Sequence, residues 1–145
     1  MNNITLTAEP GFINLSPYAF HKTAEHFYKA KCDFEPPGDF FSPVPFFLCC
    51  RAIELEIKSK HLQEKRQELV KKELGHDIVK AYNRLDKKYK ILNEDEYLLL
   101  EKTSQVYLSK GFEYINVGNA GTGFERFPDL EALDALTRKI LGYDA

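Results

Sequence analysis

Apolar residues recur at three- and four-residue steps over most of the chain, which is the period of helices rather than strands. The first stripe is Phe20, Ala24 and Phe27, with Lys31 on the same line and Phe34 near its end. It follows Ser16-Pro17, where Ser suits a cap and Pro suits a first turn whose N–H would be unpaired anyway. Pro36-Pro37-Gly38, in "DFEPPGDFFSP", cannot continue a helix. Ser42-Pro43 then repeats the start signal and predicts a helix over about 44–64. Leu48, Ala52, Leu55, Ser59 and Leu62 make one seam on it, and Phe46, Cys50, Ile53 and Ile57 make the adjacent one. So wide an apolar face belongs to a central helix with more than one neighbour.

"QEKRQELVKKELG" reads as partly helical and ends at Gly75. A new helix opens at His76-Asp77, with Ile78, Tyr82, Leu85 and Tyr89 at steps of four, three and four. Asn93 and Glu96 have the spacing of a capping box. The helix behind them carries Leu99, Thr103, Val106 and Lys110 on one line, with Leu100, Tyr107 and Leu108 beside it, and Lys110-Gly111 ends it. Pro128-Asp129 opens a last helix with Leu130, Leu133, Leu136, Ile140 and Leu141, stopped at Gly142. Residues 1–14 read as an irregular arm. Residues 111–127 read as a Gly-rich loop pinned to the bundle by Phe112, Tyr114, Phe124 and Phe127. The pattern predicts a single all-α domain over 1–145, a bundle of five helices.

Composition agrees with a globular domain: 43% of the 145 residues are hydrophobic and 29% charged. The apolar run "FFSPVPFFLCC" is too short for a bilayer and holds two prolines, so no membrane segment is expected. The N-terminus shows no basic region followed by an apolar one, so no secretory signal is expected either. Cys32, Cys49 and Cys50, an odd count with one adjacent pair, are not a disulfide framework and suit a reducing cytoplasm.

The net charge of −2 conceals an asymmetry. Residues 51–90 hold twelve Lys or Arg against seven Asp or Glu, a balance of +5 that leaves −7 for the rest. Lys71, Lys72, Lys80, Arg84, Lys87 and Lys88 are the candidates for a surface facing RNA, DNA or an acidic partner. The plainer reading is a set of solvated helix faces.

Several chemistries fail on spacing. Gly118 and Gly123 are separated as in a phosphate-cradling loop, but Phe124 and Glu125 stand where Lys and Ser or Thr would be needed. His21 and His26 are five residues apart, about 140° round a helix, so they do not converge on one ion with Glu25. No metal and no cofactor are expected. No nucleophile elbow is present, and nothing selects Cys49 or Cys50 as a nucleophile.

One constellation survives. Arg51, Glu54, Lys58 and His61 form a polar row on the central helix, and His76 and Asp77 open a later one. Charges on a helix with so wide an apolar face are partly buried and must be paired. The spacing pairs Glu54 with Lys58, and lets Arg51 or His76 reach a carboxylate or a helix end.

"PFFLCCRAIELEIKSKHL", followed after a short spacer by "LVKKELGHDIVKAYNRL", resembles the HEPN superfamily of small all-helical proteins. There a long second helix reads as an apolar run, then Arg-Ala-Ile/Leu-Glu-Leu, then Lys, and a Gly-His-Asp-apolar stretch opens a later helix. The resemblance covers about residues 44–85. It implies a bundle of four or five helices, commonly a homodimer. Many members are metal-independent RNases in toxin–antitoxin or anti-phage systems, and others are non-catalytic modules that bind nucleic acid or a protein partner. Catalytic members carry Arg, four to six residues, then His. For His76 that Arg would stand at Leu69, Val70 or Lys71, and for His61 at Glu54, Leu55 or Glu56, so neither completes the motif. Lys71 has the right sign but lacks the planar fork that grips phosphate.

Three functions follow. The first is a non-catalytic HEPN-like interaction module. The second is a metal-independent RNase with a displaced site, with Arg51 on phosphate, His76 moving the proton and Glu54 and Lys58 ordering them. The third is a purely structural interaction protein. His76 itself reads as a cap or network residue before a catalyst.

Overall fold

The computed structural model describes residues 16–36, 38, 41–112 and 127–143. Among them are six α-helices, one short 3-10 turn and no strand; the fold is all-α, and the described residues alone hold one helix more than the five expected. The helices are α1 (Ser16–Asp33), α2 (Val44–His61), α3 (Gln67–Leu74), α4 (Ile78–Asn83), α5 (Glu94–Leu108) and α6 (Leu130–Leu141), with the 3-10 turn at Lys87–Tyr89. None of the described helices is long and apolar enough to cross a membrane.

Helix α2 is the axis of the bundle. It packs most extensively on α1, then on α6, α4 and α5. Every residue from Ala52 to Ser59 is buried, glutamates included. The sequence pattern showed a wide apolar face; the fold instead surrounds the helix. The buried charges must therefore be satisfied from neighbouring elements.

Two helices stop earlier than their patterns predict. α2 ends at His61 rather than near Glu64, because Leu62 turns fully into the core and the Gln63, Glu64 and Lys65 N–H groups close onto the Lys60 and His61 carbonyls. The stripe Ile78, Tyr82, Leu85, Tyr89 is not one helix. α4 stops at Asn83, Asp86 is extended (φ −58°, ψ 149°), and Lys87–Tyr89 form the 3-10 turn. Leu85 stays buried across this break, so the apolar spacing survives a change of backbone.

The capping signals hold. Asn93 and Glu96 exchange side-chain-to-backbone bonds of 2.8 Å each. Asp129 accepts the Ala132 N–H at 2.9 Å to open α6, and Gly142 in the left-handed region closes it. At the end of α5 the left-handed residue is Lys110 (φ 60°), not glycine. Lys110 and Gly111 donate to the Tyr107 and Val106 carbonyls, the paired bonds of a Schellman ending. Gly111 is needed there for closeness: a Cβ on it would stand 2.7 Å from Val106 Cγ1.

Phe112 and Phe127 are buried and their ring centroids lie 4.8 Å apart, edge to face, against Phe46. The two ends of the predicted loop are thus pinned as the pattern implied. Tyr114, Phe124, the Gly118–Gly123 segment and the N-terminal arm lie outside the described residues.

Candidate functional site

α2 carries the sequence "ELEIKSK", in which Glu54 and Glu56 each have a lysine four residues on. Two residues apart on a helix means nearly opposite sides. The two glutamates therefore reach different neighbours, and each builds its own network.

Glu54 has only 2% of its side chain exposed and gathers four donors. Lys58 donates to Oε2 at 2.6 Å, and the Tyr107 hydroxyl of α5 donates to Oε1 at 2.5 Å. Arg51 donates through one guanidinium nitrogen at 3.3 Å. His76 Nδ1 lies 3.0 Å from Oε2 and 3.3 Å from Oε1. A carboxylate only accepts, so this contact puts the imidazole proton on Nδ1 and leaves Nε2 as the open nitrogen. Burial alone would raise the Glu54 pKa, but the Lys58 and Tyr107 hydrogen bonds, with the Lys58 and Arg51 charges, outweigh it and hold the carboxyl below its ordinary value. The Tyr107 hydroxyl is pushed well above its ordinary value by burial and by the facing carboxylate, so it stays a donor.

The predicted constellation of Arg51, Glu54, Lys58 and His76 is thus brought together. Asp77 is not part of it. Its carboxylate caps α4 by accepting the Lys80 N–H at 3.0 Å, and it faces a different groove. The cap role falls to Asp77 and the network role to His76. His61 also leaves the polar row: its ring is buried and reaches the Ala81 carbonyl at 2.8 Å, tying α2 to α4.

Arg51 and His76 form a ridge between two clefts. One, of about 360 Å³, has a floor of Leu55, Leu62 and Val70, with Phe20, Lys58 and Lys71 around it. The other, of about 420 Å³, is lined by Phe47, Tyr107, Leu108 and Lys110 besides the two ridge residues. The His76 side chain is 68% exposed. Arg51 is half-buried, with its guanidinium 5.4 Å from the centre of the Phe27 ring. The arrangement sets a guanidinium and an imidazole between two clefts, with Lys58, Glu68 and Lys71 lining the first and Lys110 the second.

The basic candidates disperse. Lys71, Lys72, Lys80, Arg84, Lys87 and Lys88 are all exposed. Lys71 joins the cleft beside Arg51. Lys80 and Arg84 line a separate groove between α4 and α5 with Asp77 and Glu101. Lys88 stands over the Tyr89 ring at 5.1 Å.

Sequence reasoning missed Tyr107, the Gly75 carbonyl and the whole Glu56 network. Glu56, with 1% of its side chain exposed, takes His21 Nδ1 from α1 at 2.5 Å and Lys60 at 2.7 Å. The repeated i,i+4 Glu–Lys spacing was the available signal for it. His21, considered only as a metal ligand, is a clasp between α1 and α2. Among the described residues no group of three or more His, Cys, Asp and Glu could hold a metal ion. Cys49 is buried, and desolvation pushes its thiol up to about 11, far from a reactive thiolate.

Compared with family models, curated proteins and solved structures, the chain matches none of them.

Proposed function

We propose that this chain is a HEPN-like interaction module that binds nucleic acid along the ridge of Arg51 and His76. The observation that carries this reading is the single buried carboxylate, Glu54, holding both side chains at the boundary of two clefts. A guanidinium presented beside open space suits a phosphate, and the apolar floor and aromatic walls of the clefts suit the less polar parts of the same polymer. Lys71 lines the first cleft, opposed there by Glu68, and Lys110 lines the second, so each cleft adds a lysine to Arg51. The resemblance over residues 44–85 supports the same choice, and with it a cytoplasmic homodimer in a defence or toxin–antitoxin type system. The test is binding of a fluorescent single-stranded RNA across a salt series. Affinity that falls steeply with salt supports the reading. Affinity that hardly responds to salt removes the phosphate contacts and leaves a protein partner or a purely structural role.

A second reading, a metal-independent RNase with a displaced site, is favoured by one feature: Glu54 takes Nδ1 of the exposed His76, which leaves Nε2 without a part in that contact, and Arg51 shares the same carboxylate. An imidazole held through Nδ1–H has Nε2 as its remaining base nitrogen, the orientation a general base requires. Cleavage of RNA in EDTA by the wild type, abolished in His76→Ala, is the outcome this reading requires. No cleavage by the wild type leaves the binding module.

A further inference from the structure

We infer that Lys58 is the positioning residue for His76, and that it acts through the backbone carbonyl of Gly75. The inference rests on the reading above for its functional consequence, but not for its geometry. The Lys58 side chain is buried, and its ammonium donates both to Glu54 Oε2 (2.6 Å) and to the Gly75 carbonyl. That carbonyl belongs to the peptide unit whose nitrogen is His76. One ammonium group therefore grips both the carboxylate that accepts from the imidazole and the peptide that carries it.

The turn needs such a grip. Gly75 closes α3, where the last carbonyls have no helical partner and where a cation is favoured. Its backbone (φ 54°, ψ −128°) is one that only glycine adopts without strain. Apart from Lys58, the turn is held by the Gly75 N–H on the Lys71 carbonyl and the Asp77 N–H on the Leu74 carbonyl, each 3.1 Å. His76 cannot align itself, because its side chain is 68% exposed and joins the network only at Glu54. An exposed imidazole on an ungripped turn samples several rotamers. With Lys58 in place, the peptide is set so that Nδ1–H meets the carboxylate.

Long-range ¹H–¹⁵N NMR of the histidine rings in the full-length protein, without any ligand, tests this. In the wild type at mildly alkaline pH, His76 should show the Nδ1–H tautomer. In Lys58→Met it should shift to the mixed pattern of a free imidazole, dominated by Nε2–H. His61, held by the Ala81 carbonyl, is the internal control for an intact fold. Lys58→Arg, which keeps a donor, should restore the wild-type pattern. Gly75→Ala strains the turn while leaving the Lys58 charge in place, and should release His76 in the same way. If Lys58→Met disturbs His61 as well, the Gly75→Ala protein decides the matter. His76 remaining on Glu54 in a folded Lys58→Met or Gly75→Ala protein overturns the inference. Failure of RNA binding alone leaves it standing, since the measurement involves no RNA.

Discussion

Glu54 and Glu56 begin as near equivalents. Both are buried on α2, both pair with a lysine four residues on, and both receive a histidine from another element. They differ in what surrounds their partners. Around Glu56 the space is about 70 Å³, walled by Tyr82, Leu85, Tyr89 and Ile140, and His21 fastens α1 to α2. Around Glu54 the partners come from three directions, and two of them, Arg51 and His76, stand between clefts several times larger. A buried charge with a histidine is therefore not in itself a site. The open space beside its partners separates a candidate site from a clasp.

The comparison can be broken most forcefully at Glu54. Glu54→Ala leaves the buried Lys58 and the half-buried Arg51 without their carboxylate. It should cost about 3–5 kcal/mol, the range for removing one partner of a buried pair, read from urea denaturation. The same carboxylate sets a pH dependence. Its folded pKa lies below the ordinary value of 4.5, so the unfolded chain takes up the proton first as pH falls. The stabilisation from this group is complete above that value and is lost as pH falls through the folded pKa. In Glu54→Gln this part of the acid slope should vanish, which a pH series of denaturation curves on both proteins measures.

At Glu56 the expected loss is smaller. Glu56→Gln keeps the volume and an acceptor oxygen, and His21 and Lys60 are half-buried, each with access to water that can replace part of the lost charge. A cost of about 1–2 kcal/mol is expected, with RNA affinity unchanged. The smallest effect on stability should come from His76→Ala, within about 0.5 kcal/mol for so exposed a side chain, together with the loss of any RNA cleavage the wild type shows. A large loss of stability in His76→Ala would mean that His76, like His21, is a clasp.

Much of this was legible in the sequence because short-range patterns decide it. The caps at Asn93, Asp129 and Gly142, the break between α1 and α2 and the gathering of Arg51, Glu54 and Lys58 all depend on spacings of a few residues. Tyr107 was not legible as a site residue, since its contact with Glu54 spans 53 positions and its apolar stripe read simply as core. The division of one stripe into α4 and a 3-10 turn was hidden for another reason: Leu85 and Tyr89 face inward under either backbone. Glu56 stands outside the polar row of Arg51, Glu54, Lys58 and His61, and its clasp with His21 spans 35 positions, beyond the reach of local spacing.

In the proposed function, nucleic acid meets the Glu54 side of α2 and not the Glu56 side. The most direct test of this claim compares the salt dependence of RNA binding in Arg51→Ala and Glu56→Gln, each confirmed as folded. Arg51→Ala should weaken binding about tenfold and lower the slope of log affinity against log salt by about one, while Glu56→Gln follows the wild type. An Arg51→Ala protein with wild-type affinity and slope, or an equal loss in Glu56→Gln, contradicts the claim.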